Sequence, residues 1–203
     1  MKILYVHGLG STAGGNTVTN LGEMFTTDEI ISHDVPIDPM KAVQAVREWS
    51  HDCDLVIGSS LGGFYAQFAD CPKVLINPAL QPVENLMKVA GKGTFEYFGP
   101  REDGVQEYTL DDEYYQDLGV WEQMLYASNL TDDDIEHTSL IFGTADEELG
   151  TSNLPLAEAA YGKEHMYFLE NMGHRFNPNF MYALVDIINK TLGAPVFEMV
   201  DVE

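Results

Sequence analysis

The chain has 203 residues, 45% of them hydrophobic, which is enough for one sizeable core and too few for two ordinary α/β domains. A single domain over residues 1–203 is therefore expected. With 10 Lys and Arg against 33 Asp and Glu, the formal net charge is −23, and the resulting field repels phosphate backbones and anionic headgroups, so no nucleic-acid partner is expected. Cys53 and Cys71 have no CxxC or metal-ligand spacing, no apolar window reaches about 18 residues, and Met1-Lys2 runs directly into a strand pattern without a signal-peptide core. These features predict a cytoplasmic protein with no membrane span, metal or cofactor; they leave its oligomeric state open.

The first apolar run, residues 3–6, predicts a buried strand, and the glycine-rich stretch His7-Gly8-Leu9-Gly10-Ser11-Thr12-Ala13-Gly14-Gly15-Asn16 follows it. Two chemistries fit this stretch. Gly8, Gly10 and Ala13 match a dinucleotide-binding G-x-G-x-x-G/A fingerprint, with Asp34 as the ribose-binding acid. Alternatively, His7-Gly8 turns the chain so that the Leu9 N–H points at a developing oxyanion. Gly14 and Gly15 are expected in the first turn of the next helix, where glycine costs about 1 kcal/mol each relative to alanine, which counts against the fingerprint.

A second strand is predicted at 30–35, then a helix after Pro39 in which Met40, Val43, Val46 and Trp49 recur at three-residue steps. A third strand at 55–57 runs into Gly58-Ser59-Ser60-Leu61-Gly62, followed by a helix over 61–69. This is G-x-S-x-G between a strand and a helix, the setting of a nucleophile elbow. Gly58 and Gly62 permit the close backbone packing of that turn, leaving the Ser60 hydroxyl exposed and the Leu61 N–H free to hold an oxyanion. Ser59 is the weaker candidate, since Leu61 stands where a second glycine is needed.

Beyond a strand at 74–76, residues 80–137 break the strand–helix rhythm with a segment rich in Tyr, Phe, Asp and Glu, expected to form a partial cap over the carboxyl edge of the sheet. A strand at 140–142 then leads to Asp146, with Glu147 and Glu148 as neighbouring rivals. The last strand, 166–169, leads to His174 and to a final helix marked by Phe176, Phe180, Leu184, Ile187 and Ile188. The order Ser60, Asp146, His174 is that of a catalytic triad on an α/β-hydrolase fold: the histidine activates the serine and the acid orients the histidine. His7 is expected to support the loop with Gly8, and not to take part in the chemistry. The predicted class is α/β, a compact α/β-hydrolase fold with a mostly parallel, doubly wound sheet.

Tyr5-Val6-His7-Gly8-Leu9-Gly10-Ser11-Thr12, Gly58-Ser59-Ser60-Leu61-Gly62-Gly63-Phe64-Tyr65-Ala66, Val74-Leu75-Ile76-Asn77-Pro78-Ala79-Leu80, Gly143-Thr144-Ala145-Asp146-Glu147-Glu148 and Gly173-His174-Arg175-Phe176 together resemble the motif series of the YqiA-like esterases. The resemblance implies a serine esterase acting on small-molecule carboxylic esters or acyl thioesters, with Ser60 as nucleophile, His174 as base and Asp146 as acid. A coenzyme A thioester would require Lys88, Lys92, Arg101 or Arg175 to form a basic rim. The rival readings are a non-catalytic binding protein on the same fold and an acyltransferase using the same triad.

Overall fold

The computed structural model describes residues 1–26 and 28–196. The first half contains β1 (Lys2–Val6), α1 (Asn16–Met24), β2 (Glu29–Ser32), α2 (Pro39–Ser50), β3 (Leu55–Ser59), α3 (Leu61–Ala66), β4 (Lys73–Ile76) and α4 (Pro82–Val89). Then come β5 (Gly93–Glu96), β6 (Glu107–Leu110), α5 (Asp112–Met124), α6 (Asp132–Glu136), β7 (Thr138–Gly143), α7 (Leu154–Tyr161), β8 (Met166–Leu169) and α8 (Met181–Thr191). Six strands form one parallel sheet in the order β2-β1-β3-β4-β7-β8, while β5 and β6 form a separate antiparallel hairpin. The doubly wound parallel sheet expected from the sequence is present.

Side chains alternate across the sheet with the period of two that strands impose. Leu4, Val6, Val56, Leu75 and Leu140 face a core shared with α2, α3, α4, α5 and α7. Ile3, Tyr5, Leu55, Ile57, Val74, Ile76 and Ile141 face the opposite core, closed by α1 and α8. Burial on both sides explains why these strands read as unbroken apolar runs. Two helices are started by their own aspartates: Asp38 accepts from the Lys41 N–H at 2.9 Å and Asp111 from the Tyr114 N–H at 2.9 Å.

Four sequence boundaries shift, each for a local reason. β2 stops at Ser32 instead of reaching 35, because the Val35 N–H donates to His7 Nε2 and leaves the ladder. α3 ends at Ala66 instead of 69; Gln67, Phe68 and Ala69 tighten into i→i−3 bonds to Phe64, Tyr65 and Ala66. α8 begins at Met181, after a short turn over Pro178–Phe180 capped by the Asn177 side chain, so Phe176 precedes the helix. Gly14 and Gly15 lie before α1 instead of in its first turn, with Gly15 as the N-cap.

Within residues 80–137, α4, α5 and the turn that follows α5 add Leu86, Leu118 and Leu125 to the core beside α2. The β5–β6 hairpin instead lies against the loops at the carboxyl edge. Phe98 N donates to Gly10 O at 2.8 Å, Arg101 Nη1 to Val35 O at 3.3 Å, and Glu102 N to Asp34 Oδ2 at 2.6 Å. The sheet order reverses at β1, whose neighbours are β2 and β3. The loops after β1 and β3 therefore meet at a topological switch point, where open α/β sheets form their ligand crevices.

Candidate active site

Ser60 sits between β3 and α3 with φ 54° and ψ −122°, a conformation that costs a non-glycine residue about 1–3 kcal/mol. Its backbone is pinned on both sides: Ser60 N donates to Ile76 O at 3.0 Å, and Ser60 O accepts from Gly63 N at 2.9 Å and Ala79 N at 3.0 Å. The flanking glycines are needed for space. A Cβ on Gly62 would meet Val6 O at 2.1 Å, and one on Gly58 would meet Gly62 O at 2.6 Å. Tight packing of the first turn of α3 against β1 and β3 thus holds Ser60 in its strained conformation.

His174 and Asp146 come from the loops after β8 and β7. His174 Nδ1 lies 3.1 Å from both carboxylate oxygens of Asp146, and both side chains are almost wholly buried. Asp146 Oδ1 also accepts from the N–H groups of Glu148 and Leu149, each at 2.9 Å. Burial works against the Asp146 carboxylate, but the His174 hydrogen bond and these backbone donors outweigh it and hold its pKa below the ordinary value. Burial likewise opposes the His174 imidazolium. The hydrogen bond and charge of Asp146, with the charges of Glu148 and Glu147, prevail and raise the histidine pKa above 6.5.

The loop after β1 is fixed by His7. Val35 N donates to His7 Nε2 at 3.1 Å, so that nitrogen carries no proton, and Nδ1–H donates to Gly8 O at 2.9 Å. Burial holds this imidazole pKa down. Gly8 O accepts a second bond from Ser11 N at 3.2 Å, which fixes the Gly8–Leu9 peptide and turns the Leu9 N–H to its other side. Gly8 itself packs on the elbow, where an added Cβ would meet Ser60 Cβ at 3.1 Å. Among the described residues the Leu9 and Leu61 N–H groups donate to no other group. Asp34, the acid required by the dinucleotide fingerprint, is engaged by Ala13 N at 2.8 Å and Glu102 N at 2.6 Å. It braces the loop against the hairpin.

An open cleft of about 1090 Å³ brings Gly8, Leu9, Ser60, Leu61, Glu148 and His174 together. Ser60 Oγ makes no hydrogen bond among the described residues, and His174 Nε2 lies 3.5 Å from Glu148 Oε2. Of the four cations that a basic rim would require, Arg175 alone lines the cleft; Lys92 is paired with Asp112 and Arg101 with Asp103. Among the described residues no group of His, Cys, Asp and Glu is arranged to hold a metal ion, and no helix is long and apolar enough to cross a membrane. Cys53 and Cys71 are free thiols.

Three further residues join the site. Glu147, one of the two neighbouring rivals to Asp146, accepts from the His174 N–H at 3.0 Å through Oε2. Glu148, the other rival, reaches the opposite side of the imidazole. Asn77, on a left-handed backbone of φ 42°, donates through Nδ2 to Gly173 O and His174 O, both at 2.9 Å, and accepts from Gly143 N at 2.7 Å. Its sequence signal was the Asn77-Pro78 pair after β4, where a proline disfavours helical backbone in the preceding residue.

Two solved structures share this architecture across almost the whole chain. A monoacylglycerol lipase from Paleococcus ferrophilus has a TM-score of 0.61 at 14% identity, covering 95% of this chain and 94% of that one. The alpha/beta hydrolase domain-containing protein 10 from mouse has a TM-score of 0.62 at 14% identity, covering 95% and 89%. The chain thus has the α/β-hydrolase fold. The UPF0227 protein ECA1814 of Pectobacterium atrosepticum is 31% identical over 97 residues, 41% of this chain. That match spans about half (54%) of the relative's length. Residues 2–189 match the family described as "Uncharacterised protein family (UPF0227)", the family to which the YqiA-like resemblance pointed, and the chain belongs to it.

Proposed function

We propose that the protein is a serine esterase that hydrolyses carboxylic esters through an acyl-serine intermediate. The observation that carries this reading is the convergence, in one cleft, of a strained elbow serine, a buried Asp–His pair and two free backbone N–H groups. Ser60 Oγ attacks the ester carbonyl as its proton passes to His174 Nε2. The Leu9 and Leu61 N–H groups hold the oxyanion, and Asp146 keeps the Nδ1–H tautomer and stabilises the imidazolium. Collapse expels the alcohol, which takes the proton from His174, and water repeats the sequence on the acyl-serine. The β5–β6 hairpin, docked on the loop that carries Leu9, serves as the cap of this cleft.

A panel of p-nitrophenyl esters from acetate to palmitate tests the reading. Release of p-nitrophenol with saturation kinetics supports it; no turnover of any chain length favours a binding protein on the same fold. Because His174 must be neutral to accept the proton, kcat/KM is expected to rise with pH through a histidine pKa above 6.5. Asp146, Glu147 and Glu148 all favour the charged imidazole. Glu148→Gln removes the charge beside Nε2, so the acid limb of the pH–rate profile should move to lower pH. A limb that stayed in place would show that Glu148 does not act on the imidazole.

A further inference from the structure

The two walls of the cleft differ in chemistry, and they come from opposite faces of the sheet. One is built by α4 and the hairpin, on the side of the core that contains Leu4 and Leu86. Leu86, Val89, Phe95 and Phe98 line it, and Val89 and Phe98 remain 44% and 73% exposed there. The other is built by α1 and the segment after His174, on the Leu21 side of the core. Asn16, Thr17, Asn20 and Asn177 line that wall, and the side chains of Asn16 and Asn20 bond to nothing else among the described residues. Ser60 lies between them.

We infer that the substrate class is an amphipathic ester: a medium-length acyl chain covers the α4–hairpin wall, and a neutral, multiply hydroxylated alcohol lies along the α1 wall. This inference rests on the esterase reading and deepens it. An acyl chain removes the exposed Val89 and Phe98 surface from water, the term that drives apolar ligands into a preformed cleft. The unengaged carboxamides offer donors and acceptors matched to hydroxyl groups. The charged lining groups are Glu96, Glu148 and Arg175, a set of both signs that favours no strongly charged alcohol, and Arg175 already stacks on Phe98 at 5.5 Å.

The test compares kcat/KM for p-nitrophenyl acetate and octanoate, and for methyl octanoate and 1-octanoyl glycerol. The parent enzyme should prefer octanoate to acetate by about tenfold or more, and the glyceryl ester to the methyl ester. Val89→Asp, and independently Phe98→Ser, should reduce the first ratio, whereas Asn20→Leu should reduce the second. Equal rates for the two acyl lengths, a preference for the methyl ester, or ratios untouched by these three substitutions would overturn the inference. If the parent turned over none of the four esters, the esterase reading itself would fall.

A second observation stands apart from the cleft lining. Asn77 joins the ends of three strands, because its side chain binds the segment after β8 at Gly173 O and His174 O and the end of β7 at Gly143 N. Gly143 O in turn accepts from Asp146 N at 3.2 Å. We propose that Asn77 is a positioning residue that sets the separation of Asp146 and His174; this too rests on the triad reading. Asn77→Gly keeps the left-handed backbone and removes all three bonds, and Asn77→Asp keeps the acceptor and loses the donor. Both should lower kcat about tenfold or more with little change in KM, and abolish the low-field Nδ1–H proton resonance of the Asp–His pair. A variant with reduced Tm but unchanged kcat and resonance would make Asn77 purely structural and overturn the assignment.

Discussion

Replacing Ser60 by alanine is expected to lower kcat by about 10⁶ while leaving the fold intact, on the scale at which other triads lose their nucleophile. The hydroxyl makes no hydrogen bond among the described residues, so its removal breaks no internal bond. The strained backbone at φ 54° is imposed by neighbours that do not change, chiefly the Gly62 approach to Val6 O and the bonds of the Ser60 peptide groups. Alanine should therefore occupy the same elbow. Ester hydrolysis at substrate saturation, with circular dichroism as the folding control, checks this. A variant retaining a tenth of the parent kcat would place the nucleophile elsewhere.

Asp146→Asn should reduce kcat by about 10⁴. Asp146 Oδ1 accepts two backbone N–H bonds as well as facing His174, so the asparagine carbonyl stays on the Glu148 and Leu149 amides and its NH₂ turns toward Nδ1. An NH₂ there can only donate, which stabilises the tautomer with the proton on Nε2. That nitrogen then cannot take the serine proton. Folding should survive because the backbone bonds persist, so a loss of activity with a near-parental Tm is the expected pair of results. A modest loss of activity, with the pH profile unchanged, would mean that Asp146 does not govern the tautomer.

The residues proposed to carry the chemistry each stand in a local sequence pattern. Gly58 to Gly62 encode the elbow within five residues, and Asp146 and His174 each follow a strand by a short turn. Local patterns say less where a long-range partner decides. Asp34 fits a ribose acid by spacing alone, a reading already disfavoured by Gly14 and Gly15, and the amides of Ala13 and Glu102 hold it. Val35 reads as strand until the buried His7 takes its N–H. β5 and β6 were hidden because their alternation is carried partly by tyrosine and glutamate, and their pairing is set by tertiary contact. The role of Asn77 depends on residues 66 to 97 positions away, a separation no spacing rule covers.

In the proposed mechanism Ser60 carries the acyl group. A fluorophosphonate probe incubated with the parent and with Ser60→Ala, followed by intact mass and peptide mapping, reports on that role. One equivalent of label is expected on the parent, mapped to the peptide containing Ser60, and none on the variant. No label on the parent, or label that persists in Ser60→Ala, would contradict it.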